Sequence, residues 1–209
     1  MGPSRHSISQ DSSKVQTSLN NPSAQNLPQT LSRSKNTNRI TKTQPPSKPK
    51  SNPANSISSD RVLTDVLLAI KPEHLDNIAT GRRNHEYRKY RLRDGVTRLW
   101  FYETREGGAG RAAITHIAVI PESVRHTPGS VPEEPFGIGN SDFNAGLKQS
   151  NYGYPVLEFY ELVSPVTLAE MKSQWGLHAP MGWQYVGKPL WEDRWGTNND
   201  KADKLRLLF

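Results

Sequence analysis

Three basic side chains and one acidic side chain lie close together in the sequence, and their types suit the binding of a nucleic acid. They are Lys71, Arg83, Glu86 and Arg88. A guanidinium offers a planar fork of donors to a phosphate or to the edge of guanine, whereas an ammonium acts as a point charge. Glu86 could accept hydrogen bonds from the amino group of a base, or orient the basic groups. The alternative is an ion-pair cluster that only stabilises the fold, because buried charges need partners or a ligand.

The segment 67–88 must bring these four groups together. Its pattern predicts a strand, a short helix that begins at Pro72, a turn at Gly81 and a second strand that carries Arg83, Glu86 and Arg88. Proline suits the first helical position and glycine suits the left-handed cap at a helix end. Glu86 and Arg88 are two residues apart in the predicted strand, so they share one face of it.

The sequence of residues 70–88, IKPEHLDNIATGRRNHEYR, resembles the opening motif of ASCH domains, which are members of the PUA-like superfamily. That motif has an Ile-Lys-Pro start, a short helix and then Gly-x-Lys/Arg-x-x-Glu-x-Arg. Weaker matches follow in the expected order, and the resemblance spans roughly residues 62 to 190. It implies an α+β fold, a small and mostly antiparallel PUA-like β-barrel with a few short helices. It also implies a cleft for RNA or a modified nucleobase, with Lys71, Gly81, Arg83, Glu86 and Arg88 in the motif positions.

Aromatic side chains are further candidates for the same cleft. Trp183, Gln184 and Tyr185 follow the turn 180–182, which is expected to place them at the rim of the cleft. An aromatic ring there can stack on an unpaired base. The alternative is that these rings belong to the core, as most aromatic residues of a small β-domain do.

An enzyme on the same cleft is the second hypothesis. Some ASCH-like proteins deacetylate acetylated cytidine with a Lys and a Thr on this strand, but here Arg83 and Glu86 fill those places. Arginine stays protonated and cannot act as a base. A metal-independent ribonuclease or modified-nucleoside hydrolase, with Lys71 and Glu86 as candidate acid and base, remains the alternative. The chain has no cysteine and its six histidines lack metal-ligand spacing, so neither a metal nor a cofactor is predicted.

The chain changes character near residue 61. Residues 1–60 contain no aromatic residue, and their eight Lys or Arg and two Asp give them +6 of the total net charge of +7. The composition predicts a disordered basic tail, followed by an ASCH-like domain over residues 61–209 that is almost neutral. Such a tail adds salt-sensitive affinity for phosphate backbones, or serves only to keep the protein in solution.

Elsewhere the patterns predict a mostly β domain and a soluble, intracellular protein, nuclear or cytoplasmic. No apolar run approaches the length of a membrane span, no secretory signal is present, and the absence of heptads favours a monomer. The expected partner is RNA or another nucleic acid, and a weaker alternative is a protein that binds the Pro-rich loop 121–139. Strands are predicted at 97–103, 112–120 and 154–163, and helices at 141–148 and 167–175. The segment 181–186 is predicted as a strand or turn, and the segment 205–209 as a strand or a segment that docks on the barrel.

Overall fold

The computed structural model of the protein describes residues 60–196 and 201–209, and in them strands of two β-sheets combine with short helices. The larger sheet has six strands, in the order β7-β1-β3-β4-β6-β8, and the smaller sheet pairs β2 with β5. The strands are β1 (Arg61–Ile70), β2 (His85–Arg88), β3 (Arg98–Glu103), β4 (Ala113–Val119), β5 (Tyr152–Pro155), β6 (Glu158–Thr167), β7 (Trp183–Gly187) and β8 (Leu205–Leu207). The predicted tail lies outside the described residues, except for Asp60.

The helices of the described residues are short, and most begin where the sequence predicts. They are α1 (Pro72–Ala79), α2 (Asn140–Asn144), α3 (Leu168–Trp175), α4 (Lys188–Arg194) and α5 (Lys201–Lys204). The start of α3 is a capping box, because the Thr167 hydroxyl accepts a hydrogen bond from the Glu170 amide at 3.2 Å. Helix α4 was not predicted, although Pro189 stands in its first turn, where proline is favoured.

The expected α+β class is confirmed, but the expected β-barrel is wrong. Strands β7 and β8 lie at opposite edges of the six-stranded sheet, so the sheet is open. A barrel closes only when its edge strands pair with each other. Here β8 has only three residues and pairs with β6 alone among the described strands, and β1 runs parallel to β3. The pairing within the sheet is otherwise antiparallel.

Three local differences from the sequence prediction shape the region near β2. The predicted strand 154–163 is divided into two strands, β5 and β6. β6 belongs to the large sheet, whereas β5 pairs with β2 in the small sheet. The predicted helix 141–148 ends at Asn144, which leaves the residues after it as an irregular segment. Arg83 precedes β2 rather than lying in it. Together these changes bring the segment before β5 alongside the charged end of β2.

Apolar side chains cover both faces of the large sheet, because alternate residues of a strand point to opposite faces. On one face Leu68 packs in a cluster with Leu75 and Ile78 of α1. On the other face Leu67 packs in a cluster with Met171 of α3 and Leu190 of α4. The core therefore fixes α1, which begins directly after β1, against one side of the sheet. Within the described residues, no helix is long and apolar enough to cross a membrane.

A buried carboxylate joins the two parallel strands of the sheet. Asp65 of β1 is fully buried, and its two oxygens accept hydrogen bonds from Nε and a terminal nitrogen of Arg98, both at 2.7 Å. The indole nitrogen of Trp100 and the hydroxyl of Thr64 donate to the same carboxylate, at 2.8 and 2.6 Å. Every lone-pair direction of the charge thus has a partner, which is the condition under which a buried ion is tolerated.

Replacing Asp65 by alanine is expected to lower the free energy of unfolding by about 3–5 kcal/mol, because Arg98 would keep its charge in a mostly buried position. The measurement is urea unfolding followed by circular dichroism. The matched control is Asp94→Ala, which breaks the exposed ion pair with Arg91 and should cost about 1 kcal/mol or less. Equal losses in the two variants would show that the Asp65 network does not stabilise the sheet.

Candidate functional site

A cleft of about 340 Å³ opens where the end of β1, the start of α1 and strand β2 meet the segment before β5. Its charged lining consists of four basic groups and a single carboxylate, with one histidine beside them. We call this site the cationic cleft. Its titratable side chains include Lys71, His74, Arg83, Glu86, Arg88 and Lys148.

Glu86 lies at the centre of the charge arrangement of the cationic cleft. Its side chain is only 4% exposed, and its two oxygens pair with different arginines, Arg83 at 3.1 Å and Arg88 at 2.8 Å. The Nε of Arg83 donates a further hydrogen bond to the backbone carbonyl of His85 at 2.7 Å. Two guanidinium groups therefore share one carboxylate, and the buried triad retains one excess positive charge.

Arg88 connects this triad to the large sheet. One of its terminal nitrogens donates a hydrogen bond of 2.7 Å to the backbone carbonyl of Ala69, near the end of β1. Its side chain is 18% exposed, and its Nε has no hydrogen-bond partner among the described residues. Arg88 is thus held in place by two contacts and keeps donor capacity that its neighbours do not use.

The ring of Tyr87 forms one wall of the cleft, and two cationic side chains lie over it. The guanidinium carbon of Arg83 lies 5.2 Å from the ring centre and the ammonium of Lys148 lies 5.4 Å from it. The tyrosine hydroxyl donates to Oδ1 of Asn140 at 2.7 Å, and burial raises the pKa of this hydroxyl above its usual range. Tyr87 therefore stays neutral and offers the negative face of its ring to both cations.

A glycine gives Lys148 its place against this ring. Gly139 has φ of +89°, a left-handed conformation that side chains disfavour. A Cβ atom at this position would come within 2.8 Å of the Lys148 ammonium. The absence of a side chain at Gly139 therefore leaves the space that the end of Lys148 occupies.

Lys71 and His74 complete the cleft from the first turn of α1. Lys71 is more than half exposed and its ammonium pairs with Glu106 at 3.0 Å, so it lies at the mouth of the cleft. Burial, and then the positive charge of Arg83, lower the pKa of His74 below its ordinary value of 6.5, which keeps the imidazole mainly neutral at pH 7. Within residues 60–196 and 201–209, no group of three or more His, Asp or Glu side chains is arranged to hold a metal ion.

The structure divides the seven residues that the sequence proposed as a nucleic-acid site between two clefts. Lys71, Arg83, Glu86 and Arg88 line the cationic cleft. The other three residues line a neighbouring cleft of about 600 Å³ at the edge strand β7, which we call the aromatic cleft. Its lining includes Trp175, Trp183, Gln184 and Tyr185 together with Arg61.

Sequence reasoning missed two residues of the cationic cleft, His74 and Lys148. The spacing of Lys71 and His74 could have revealed His74. The two residues are three apart at the start of α1, and residues at that spacing lie on the same side of a helix. No local signal identifies Lys148. It reaches the cleft because β5 pairs with β2, where the amide of Asn151 donates to the carbonyl of Arg88 at 2.9 Å.

Comparison with known proteins gives matches only among solved structures. No protein-family model and no curated protein matches the chain. The ASCH protein of Zymomonas mobilis is 15% identical, with a TM-score of 0.44 over 61% of this chain and 91% of its own. Two point mutants of that protein give 16% and 15% identity and TM-scores of 0.43 and 0.42. They cover 60% and 59% of this chain and 90% of their own. These neighbours bear the name of the family that the opening motif resembles, and at this similarity they carry no information on ligand or activity.

A buried histidine stands beside the charged triad. His85 is 6% exposed, its Nδ1 is 2.8 Å from Oδ1 of Asn84, and its Nε2 has no partner among the described residues. Burial is the main cause that lowers the pKa of His85 to about 4, and the neighbouring His126 and Arg83 lower it further. The folded protein therefore holds this imidazole neutral well below pH 6.5.

The free energy of unfolding is expected to fall as the pH drops from about 6.5 to about 4, because the unfolded chain binds a proton at His85 that the folded protein resists. A shift of this size corresponds to about 3 kcal/mol at most, and the loss levels off below the folded pKa. The measurement is urea unfolding at several pH values for the wild type and for His85→Gln, which should show a flatter pH dependence.

The control for this comparison is His178→Gln, since His178 is exposed. His116 also has a pKa lowered to about 4 by burial, and it contributes equally to all three proteins. A His85→Gln variant with the same pH dependence as the wild type would contradict the assignment of this window to His85.

Proposed function

We propose that the protein is a nucleic-acid-binding module that holds one unpaired or modified base of RNA, with its phosphate, in the cationic cleft. The observation that carries this proposal is the convergence of four basic side chains on a cleft that contains a single carboxylate. Three of these groups, Lys71, Arg83 and Arg88, occupy positions of the motif in residues 70–88. Lys148 is the fourth.

The electrostatics of the cationic cleft favour an anionic ligand. Glu86 neutralises only one of the two guanidinium groups that it contacts, and Lys148 contacts the ring of Tyr87 rather than a carboxylate. An exposed phosphate held against these groups would gain charge-assisted hydrogen bonds, which are about twice as strong as neutral ones. The buried position of the triad reduces screening by salt.

The size of the cleft favours a local recognition site over a broad nucleic-acid track. A volume of about 340 Å³ lies at the lower end of the range for small-ligand pockets. The residues after 60 carry almost no net charge, whereas the segment 1–59 is strongly basic, so the cationic cleft is not part of a domain with a large net positive charge. Such a division suits base recognition in the cleft and sequence-independent phosphate contact by the segment 1–59.

The ion pairs favour recognition over catalysis in this cleft. Both oxygens of Glu86 are engaged by arginines, so the carboxylate is poorly placed to take a proton from a substrate. Lys71, the other catalytic candidate, is exposed and pairs with Glu106 at the mouth of the cleft. Glu86 is therefore better suited to orient the two guanidinium groups, or to accept a hydrogen bond from a base.

Arg88→Ala is expected to weaken binding of a single-stranded mixed-sequence RNA by about 5- to 150-fold, which corresponds to roughly 1–3 kcal/mol for one good guanidinium contact. Fluorescence anisotropy with a labelled hexanucleotide at fixed salt measures the change. The matched control is Arg91→Ala, which removes an exposed arginine whose partner Asp94 lies outside the cleft. Unchanged affinity in the Arg88 variant, with folding intact, would refute the site.

Deleting residues 1–59 is expected to flatten the salt dependence of RNA binding. This segment carries eight Lys or Arg and one Asp, and each phosphate contact contributes about −0.7 to the slope of log K against log salt concentration on single strands. The measurement is the hexanucleotide titration repeated at several salt concentrations for the full chain and the deletion variant. Equal slopes would show that the segment makes no phosphate contacts, while the effect of Arg88→Ala should persist in both proteins.

A further inference from the structure

We infer that the aromatic cleft is a second subsite, which stacks a neighbouring unpaired base of the RNA whose first base occupies the cationic cleft. This inference rests on the proposed function, and it adds to it that the ligand is at least a dinucleotide. The sequence expected Trp183, Gln184 and Tyr185 beside Arg88 in one cleft. Because these three residues line a separate cleft, we assign them to a second base of the same RNA.

The end of the aromatic cleft that Trp183 lines lies near the cationic cleft. Trp183 of β7 pairs with Leu68 of β1, and Ile70, which lines the cationic cleft, follows two residues later. Two residues of a strand span about 7 Å. The ring centre of Tyr90 lies 6.4 Å from that of Trp183, and Tyr90 follows Arg88, which lines the cationic cleft, by two residues. Tyr90 thus lies between the two sites.

The ring of Trp183 is both fixed and accessible. It forms an edge-to-face pair with Tyr185, with ring centres 5.1 Å apart and planes at 84°. Despite this contact and that with Tyr90, 37% of Trp183 remains exposed. A large apolar ring that is held by neighbours yet open to solvent can stack on a base with little loss of conformational entropy.

Polar groups elsewhere in the lining of the aromatic cleft match the edge and the backbone of a nucleotide. Nε2 of Gln184 is buried and has no hydrogen-bond partner among the described residues, while the side chain lines the cleft. A glutamine amide can donate to a ring nitrogen or carbonyl of a base. Arg61, exposed at the start of β1, also lines the cleft and forms no ion pair within the described part of the chain. Its guanidinium can contact a phosphate at this end of the cleft, where Asp60 also lines it.

The position of β7 explains why one cleft can present all of these groups. β7 is an edge strand of the large sheet, so the cleft extends around the edge and includes side chains from both faces of the strand. Trp183 and Tyr185 point to one face and Gln184 to the other. Trp175, at the end of α3, closes the cleft on the Gln184 side, where it packs against the same apolar cluster as Leu190.

The test compares two probes, adenosine 5′-monophosphate and a single-stranded mixed-sequence RNA hexanucleotide. Trp183→Ala is expected to weaken hexanucleotide binding by about 5- to 150-fold, the factor that corresponds to stacking of one base. Binding of the mononucleotide, which needs only the cationic cleft, should be unchanged. Trp183→Phe should restore most of the hexanucleotide affinity, and Met181→Ala, which alters a fully exposed side chain next to the cleft, should leave both affinities unchanged.

The outcomes separate this inference from the proposed function. Hexanucleotide affinity that is unchanged in Trp183→Ala but reduced in Arg88→Ala would overturn the second subsite and leave the cationic cleft standing. Affinity reduced in Trp183→Ala but unchanged in Arg88→Ala would support the aromatic cleft and refute the cationic one. A wild-type protein that binds neither probe would overturn both. Gln184→Leu should narrow the difference in affinity between oligoadenylate and oligouridylate if its amide reads the base, and no change would contradict that role.

Discussion

The ion-pair triad of Glu86 with Arg83 and Arg88 is the interaction on which the junction between the two sheets depends. Glu86 and Arg88 belong to β2 of the small sheet, whereas the carbonyl that Arg88 contacts belongs to β1 of the large sheet. Removal of the carboxylate would leave two mostly buried guanidinium groups with like charge side by side, which is costly in a medium of low dielectric. The same triad therefore links the two sheets and supplies charge to the candidate site.

The sequence allowed two interpretations of these charged residues, an ion-pair cluster that stabilises the fold and a ligand-binding site. The structure is compatible with both at once. A triad that is fully neutralised would be only structural, and a cluster of unpaired cations would be too costly to bury. The observed arrangement lies between these limits, because one carboxylate serves two arginines and Lys148 is stabilised by an aromatic ring instead of an acid. A ligand phosphate would complete the charge balance.

Local signals in the sequence were sufficient to find most of the elements and the centre of the site. Pro72, Gly81 and the capping box at Thr167 mark helix ends through backbone chemistry that acts within a few residues, and the charged group at 83–88 is contiguous with them. The remaining features depend on pairing over long distances. The departure of β5 from the large sheet, the open sheet and the presence of Lys148 in the cleft all follow from which strands pair, and alternation of apolar residues does not encode that choice.

The left-handed glycine beside Lys148 has a consequence for how this cleft can vary between related chains. Any side chain at position 139 would strain the backbone at its positive φ and would require the flexible end of Lys148 to shift. A side chain at position 139 would therefore restrict where the ammonium of Lys148 can lie, so the choice of residue at one position affects the other. In a set of homologues, glycine at 139 together with lysine at 148 would distinguish chains that keep the fourth cation of the cleft from chains that share the fold but have lost it.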